Sequence, residues 1–107
     1  MTYYDRCGNT ISLNDWAAKF EDRSYQVVKQ DRIDGWFVST VWLGIDHSFF
    51  GGPAQIFETM IFPPDGETGE KHPDLDNWQD RYPTEETAKA GHEQALAMVR
   101  AELAVSS

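Results

Sequence analysis

A two-residue segment, Asp34-Gly35, constrains the fold of this chain more than any other feature. It joins two runs rich in β-branched and aromatic residues, Tyr25 to Ile33 and Trp36 to Leu43. Asp-Gly readily adopts the positive φ angles of a type I′ turn, and so short a connection fixes how the strands pair. The sequence therefore predicts an antiparallel hairpin with three facing pairs: Ile33 with Trp36, Asp31 with Val38, and Lys29 with Thr40.

The second strand of this hairpin is rich in apolar residues on both faces. Alternation divides it into two sets: Trp36, Val38, Thr40 and Trp42 on one face, and Phe37, Ser39, Val41 and Leu43 on the other. A strand of this kind is usually central in its sheet. We expect it to be covered at least partly on both sides.

Two helices and a third strand frame the hairpin. Ser12 has the form of an N-cap, and the apolar stripe behind it predicts a helix over residues 13–22. The mainly apolar residues 56–62 predict a third strand. This strand ends at residue 62 because the two prolines that follow cannot continue a ladder. Thr84 begins a last helix, residues 85–104, whose inner stripe is Ala88, His92, Ala95, Leu96, Val99 and Leu103.

The order (β)-α-β-β-β-α predicts an α+β fold, with a three- to four-stranded antiparallel sheet and two helices packed mainly on one face. A short strand or hairpin is expected in residues 1–11. The 107 residues form a single domain with an acidic, proline-rich loop at 63–83, which holds four of the five prolines and six acids against Lys71 and Arg81. We expect Leu75, Trp78 and Tyr82 to hold parts of this loop against the body.

The net charge of −9 disfavours binding to nucleic-acid backbones and to anionic membranes, because both require basic residues. The helix and strand order is that of double-stranded-RNA-binding domains, but Glu85 and Glu86 stand where such domains need basic residues. We therefore predict no direct nucleic-acid binding. No membrane span or signal sequence is found, and a single cysteine, Cys7, fits a reducing cytosol.

Four residues have the chemistry of a metal or ligand site: Asp46, His47, Glu58 and His92. Their spacing is not diagnostic, so each also has a local interpretation. Asp46 would organise a turn, and His47 would bind a loop carbonyl. Glu58 would pair with Arg32, Lys29 or Arg81, and His92 would be a satisfied polar group at a helix–sheet interface where Gly91 allows close approach.

Catalysis has little support in the sequence. Cys7 lies in a turn with only Arg6 nearby to activate it, and the chain has no nucleophile elbow, phosphate loop or dinucleotide fingerprint. We predict that the protein is not an enzyme and needs no cofactor.

A recognition patch is the other candidate site. Loop aromatics often mark binding surfaces, and Phe49, Phe50 and Trp78 would be rimmed by the acidic Asp74, Asp76 and Asp80. Such a surface suits a basic protein partner. The alternative, which the sequence supports equally, is that Phe49 and Phe50 fold inward and close the end of the sheet.

Three segments, "WLGIDH", "FETMIF" and "RYPTEETAKAGHE", together resemble a family of small proteins of unknown function from actinobacteriophages and prophages. The opening "YYDRCGNTISLNDWAAKFED" is similar to theirs as well, whereas the acidic stretch around 63–79 is longer here. The resemblance implies a bacterial cytosol and a gene carried by a virus or mobile element. It implies no activity.

The leading hypothesis is a non-enzymatic, phage-type accessory protein that binds a host or phage protein through its acidic aromatic surface. Inhibition of a host or defence factor is one specific form of this hypothesis. A metal- or small-ligand-binding domain that uses Asp46, His47, Glu58 and His92 is the second hypothesis. A self-associating structural protein, such as a homodimer, is the third.

Overall fold

The computed structural model describes residues 2–46, 54–64, 75 and 78–106. The elements in chain order are β1 (Tyr3–Tyr4), β2 (Thr10–Ile11), α1 (Leu13–Glu21), α2 (Arg23–Gln26), β3 (Val27–Ile33), β4 (Trp36–Trp42), β5 (Phe57–Phe62), β6 (Gln79–Tyr82) and α3 (Glu85–Ser106). A four-stranded antiparallel sheet of order β3-β4-β5-β6 carries α3, and β1 pairs with β2 in a separate sheet. The predicted α+β fold is confirmed.

The β3–β4 hairpin has the predicted turn and register. Asp34 and Gly35 have φ angles of 47° and 89°, as a type I′ turn requires. All three predicted pairs are present, and β4 lies inside the sheet between β3 and β5. The register shifts between Val27 and Lys29, where β3 has an irregularity. The turn chemistry thus sets the alignment on which the rest of the sheet is built.

The core lies between α3 and one face of the sheet. Seven buried residues form its larger cluster: Trp36, Val38, Ile61, Leu75, Ala95, Leu96 and Val99. A second cluster at the other end of the sheet contains Trp42, Ile56, Phe57 and Ala88, against which the N-terminal elements pack. On the opposite face of the sheet, Phe37 and Val41 are half-buried and Phe62 is exposed. In the part of the chain that is described, α3 covers β4 on one side only.

Two elements were absent from the sequence prediction. Residues 79–82, expected in the loop at 63–83, form the edge strand β6, which pairs Gln79 with Met60 and Tyr82 with Phe57. The sequence Gln-Asp-Arg-Tyr has no apolar alternation, so it gave no signal for a strand. Its backbone pairs with β5, and none of its four side chains is fully buried. Residues 23–26, partly expected at the start of the first long strand, form the short helix α2, for which Asp22 is the N-cap.

Leu75 and Trp78 lie where the sequence predicted. Leu75 is 4% exposed, and the half-buried Trp78 packs against the larger core cluster. The Trp78 carbonyl accepts a hydrogen bond from the Ile61 backbone N–H at 3.2 Å. The other residues of the predicted loop at 65–74 and 76–77 lie outside the described residues. Within the part of the chain that the structure describes, no helix is long and apolar enough to cross a membrane.

Candidate functional site

A buried chain of hydrogen bonds surrounds His92, one of the predicted site residues. His92 Nε2 lies 2.7 Å from Asp31 Oδ2, and His92 Nδ1 lies 2.7 Å from Thr40 Oγ1. Thr40 Oγ1 in turn lies 2.6 Å from Thr59 Oγ1. His92, Thr40 and Thr59 are each 0% exposed. The chain therefore crosses from the interior, at Thr59, to the half-exposed carboxylate of Asp31.

The chemistry of the groups sets a direction for these bonds. An ionised Asp31 only accepts, so His92 donates its Nε2–H to Asp31; with that tautomer of the neutral imidazole, Nδ1 accepts. The hydroxyl of Thr40 then donates to His92, and the hydroxyl of Thr59 donates to Thr40. Each of the three hydrogen bonds has one donor and one acceptor, so these polar groups are all hydrogen-bonded without a charge on the imidazole.

The fold brings these residues together in two steps. Thr40 and Thr59 are direct partners in the β4–β5 register, and Asp31 shares their face from β3. On α3, the buried Gly91 lets the helix approach β6, because a Cβ atom there would overlap the Tyr82 ring. This close contact puts the neighbouring His92 within hydrogen-bond distance of β3 and β4.

An ion pair stands beside the solvent end of this chain. Lys29 Nζ lies 2.6 Å from Glu93 Oε1 and 4.0 Å from Asp31 Oδ2. The hydrogen bond with Glu93 raises the pKa of Lys29 and lowers that of Glu93. The pair joins β3 to α3 next to Asp31.

Asp, His and Thr stand here in the order of a nucleophilic triad, but the arrangement does not expose a nucleophile. A substrate would have to reach the hydroxyl of Thr40, which is 0% exposed beneath α3. The geometry supports a structural role, in which the bonds fix α3 on the sheet.

Glu58 and His92 do not meet. Glu58 is the register partner of Arg81, and its Oε2 accepts a hydrogen bond from Arg81 Nε at 3.1 Å. Its neighbours Phe57 and Thr59 point toward α3, so alternation turns Glu58 to the opposite face. Glu58 and His92 therefore lie on opposite faces of the sheet and do not share a ligand site. Arg81 is one of the three partners that the sequence suggested for this carboxylate.

Asp46 lies in the exposed segment after β4 and accepts a hydrogen bond from the Gln55 backbone N–H at 3.2 Å. Its partner in the metal hypothesis, His47, lies outside the described residues. Within the described ranges, no group of three or more His, Cys, Asp and Glu side chains is arranged to hold a metal ion. The metal hypothesis thus stays a prediction that depends on His47.

The predicted acidic aromatic patch is described only in part. Trp78 packs against the core, as an anchor of its segment, and Asp80 is exposed on β6. Its other members, Phe49, Phe50, Asp74 and Asp76, lie outside the described residues, so the patch stays a prediction.

The structure adds a surface that the sequence analysis did not single out. We call the sheet face turned away from α3 the open face; by register and alternation it presents Gln30, Arg32, Phe37, Ser39, Val41, Glu58, Met60, Phe62, Gln79 and Arg81. The rings of Phe37 and Phe62 stack at 5.9 Å with an interplanar angle of 26°. The guanidinium of Arg32 lies 4.4 Å from the centroid of the Phe37 ring. Phe62 is 41% exposed, which is high for so large an apolar side chain.

The open face differs in charge from the chain as a whole. It carries the guanidinium groups of Arg32 and Arg81 and one carboxylate, Glu58, whereas the chain has twice as many acids as bases. A cleft of about 400 Å³ adjoins it at the edge of β3, lined by Arg23, Gln30, Asp31, Arg32 and Phe37. The face thus combines an aromatic stack with a positively charged border.

Sequence reasoning had one signal for this surface. Alternation along the second hairpin strand already placed Phe37 on the face turned away from Trp36, Val38 and Thr40. Two facts were missing: α3 covers only one face in the described part of the chain, and β5 adds Phe62 directly beside Phe37. Both depend on tertiary pairing.

No protein-family model matches the chain, and no curated protein or solved structure is significantly similar to it. The resemblance to actinobacteriophage proteins therefore stays a prediction.

Proposed function

We propose that this protein is a non-enzymatic binding domain that holds a partner protein on the open face of its sheet. The observation that carries the proposal is the stack of Arg32, Phe37 and the exposed Phe62. Aromatic residues and arginine are enriched in the residues that dominate protein–protein binding energy, and a preformed stack loses little side-chain entropy on association.

The buried polar chain supports a binding role over a catalytic one. Its imidazole and both hydroxyls are 0% exposed, so these three side chains serve the fold. The resemblance noted above adds a context: the partner would be a host or phage protein in a bacterial cytosol. Inhibition of a host or defence factor is one specific form of this function.

The test is affinity capture from bacterial lysate at low and high salt, followed by titration of each purified captured protein. The wild type is compared with Phe62→Ala, and Val105→Ala is the matched control because Val105 is 84% exposed on α3. We expect the Kd to rise at least about tenfold in Phe62→Ala, as for a residue that dominates an interface. The control should bind like the wild type. Equal affinity of wild type and Phe62→Ala for every captured protein would contradict the proposal.

Light scattering separates this function from self-association. We expect a monomer for the isolated wild type. A wild-type dimer that Phe62→Ala converts to a monomer would assign the open face to a second copy of this chain, and the proposal would fail.

A further inference from the structure

The cleft beside the open face, which we call the arginine cleft, carries an inference about the partner. It is lined by five residues: Arg23, Gln30, Asp31, Arg32 and Phe37. Four of the five are polar or charged, and Phe37 belongs also to the aromatic stack. A molecule bound on the open face would therefore contact both the apolar stack and two guanidinium groups.

These two guanidinium groups differ from those of Arg6 and Arg81 in their ionic contacts. Arg6 and Arg81 each form an ion pair with a glutamate. For Arg23 and Arg32, no carboxylate among the described residues lies within ion-pair distance. The one acid of the cleft, Asp31, directs Oδ2 to His92. The cleft thus holds two guanidinium groups without a paired carboxylate among the described residues.

Arg32 is already held in a geometry that suits a carboxylate. Its guanidinium lies over the Phe37 ring, which restricts the side chain while leaving the N–H groups at the edge of the plane available. A planar guanidinium binds a carboxylate through two parallel hydrogen bonds, and a restrained one loses less entropy when it does so.

The nature of the cleft favours a segment of protein chain over other anions. Small-molecule sites are mostly apolar and enclose their ligand, whereas this cleft is polar and lies at a sheet edge. A nucleic-acid backbone would bring many negative charges toward a chain of net charge −9, which opposes binding. A short run of carboxylates beside an apolar side chain matches the cleft and the stack together.

We infer that the partner protein presents an acidic segment, whose aspartate or glutamate side chains bind Arg23 and Arg32 while an adjacent apolar side chain packs on Phe37 and Phe62. The inference rests on the proposed function, since it concerns the partner of the same open face. It reverses the charge expected from the sequence alone, because the surface that binds is locally basic.

The experiment uses a short fluorescein-labelled peptide of glutamates with one tryptophan, and a second peptide with glutamine in place of glutamate. Fluorescence anisotropy measures their binding to the wild type, Arg23→Gln, Arg32→Gln and Arg32→Lys, with Arg100→Gln as the control for net charge on the exposed part of α3. We expect only the glutamate peptide to bind and Arg32→Gln to weaken it about tenfold, as the loss of one charge-assisted pair does. Arg32→Lys should fall between the wild type and Arg32→Gln, and added salt should weaken binding.

Three results would overturn the inference. The glutamate peptide could fail to bind the wild type, or Arg100→Gln could weaken it as much as Arg32→Gln does. A labelled oligothymidylate that binds with the same arginine dependence, in place of the peptide, would assign the cleft to nucleic acid.

The same variants separate this inference from the proposed function. A captured protein whose binding is lost in Phe62→Ala but unchanged in both Arg→Gln variants would uphold the function and overturn the acidic segment. Loss in all three variants would support both.

Discussion

Thr40 and Thr59 are adjacent links in one buried chain, yet their removal has unequal consequences. Thr40→Val leaves His92 Nδ1 and the Thr59 hydroxyl without partners, whereas Thr59→Val removes only the last donor. Removing one partner of a buried hydrogen bond leaves the other polar group unsatisfied, and this costs more free energy than a substitution that leaves no unsatisfied group. We expect Thr40→Val to lower the free energy of unfolding by about 3 kcal/mol and Thr59→Val by about 1 kcal/mol. Urea unfolding measures both.

Gln94→Ala serves as the control for that pair, because Gln94 is exposed on α3 next to the buried set. It should change the free energy of unfolding by less than about 0.5 kcal/mol. Equal losses for the two threonine variants would contradict the direction assigned to the hydrogen bonds.

The buried side chain of Tyr82 should make the fold less stable at alkaline pH. Burial of the side chain, with a smaller contribution from the charge of Asp80, raises the pKa of Tyr82 to about 12. Because the folded pKa exceeds the ordinary value of 10.0, stability is fully present below about pH 10 and is lost as pH rises toward 12. Tyr82→Phe should remove this loss, which urea midpoints on both sides of pH 10 would measure.

At neutral pH the same substitution should cost little. The Tyr82 hydroxyl is buried with no hydrogen-bond partner among the described residues, so its removal leaves no other group unsatisfied. Tyr3→Phe, in the two-stranded sheet, is the control and should keep the alkaline loss. A Tyr82→Phe protein that still weakens like the wild type would show that other groups cause the effect.

At the scale of single residues, the sequence placed His92 on the inner helix face and Thr40 on a buried strand face, and both placements are correct. It did not predict that they would touch. That contact depends on how far α3 slides and rotates over the sheet, which Gly91 and Tyr82 set through a contact between distant segments.

Among the elements, α3 owes its position to Gly91. Alanine normally stabilises a helix interior relative to glycine by about 1 kcal/mol. Here the added Cβ would overlap the Tyr82 ring, so we expect Gly91→Ala to destabilise the protein by about 1–3 kcal/mol, as overpacking a core does. Thermal unfolding measures the change.

A second substitution tests the cause. In a Tyr82→Ala background the obstructing ring is absent, so Gly91→Ala should cost much less than in the wild type. If the two substitutions change the free energy of unfolding additively, the position of the helix does not depend on this contact. Ala90→Gly, at an exposed neighbouring site, should lose only about 1 kcal/mol.

Elements with strong local signals were predicted from the sequence, and those held by pairing alone were not. The Asp34-Gly35 turn, the Ser12 cap and the apolar stripe of α3 each fix their element locally, and the bounds agree within about two residues. β6 has no such signal, because its four residues become a strand only when the edge of β5 is available. The open face was missed for the same reason.

The whole molecule divides into a sheet with α3 and a smaller N-terminal unit of β1, β2 and α1. No residue of α1 is fully buried, and its main anchor is Trp16, whose Nε1 donates to the Leu43 carbonyl at 2.9 Å. Gly44 has a φ of 72°, and a Cβ there would lie within 2.7 Å of both Trp16 and Trp42. Elements with few buried contacts open at lower free energy than the core.

Native-state hydrogen exchange should reveal this division. Trp16→Ala should raise exchange in α1 by at least about tenfold while the amides of Val38 and Ile61 keep their protection, because the larger core cluster contains no residue of the N-terminal unit. Leu13→Ala, at a 55% exposed site on the same helix, is the control and should have little effect. A uniform rise across the sheet would mean that the molecule opens as one unit.

The position of α3 in the chain has a consequence during synthesis. All four strands of the large sheet contact this helix, yet every one of them precedes it in sequence. On a translating ribosome the strands therefore emerge before the helix that buries Trp36, Val38 and Ile61. Until α3 follows, the nascent chain presents an uncovered apolar sheet, and this is the stage at which a chaperone would be needed most.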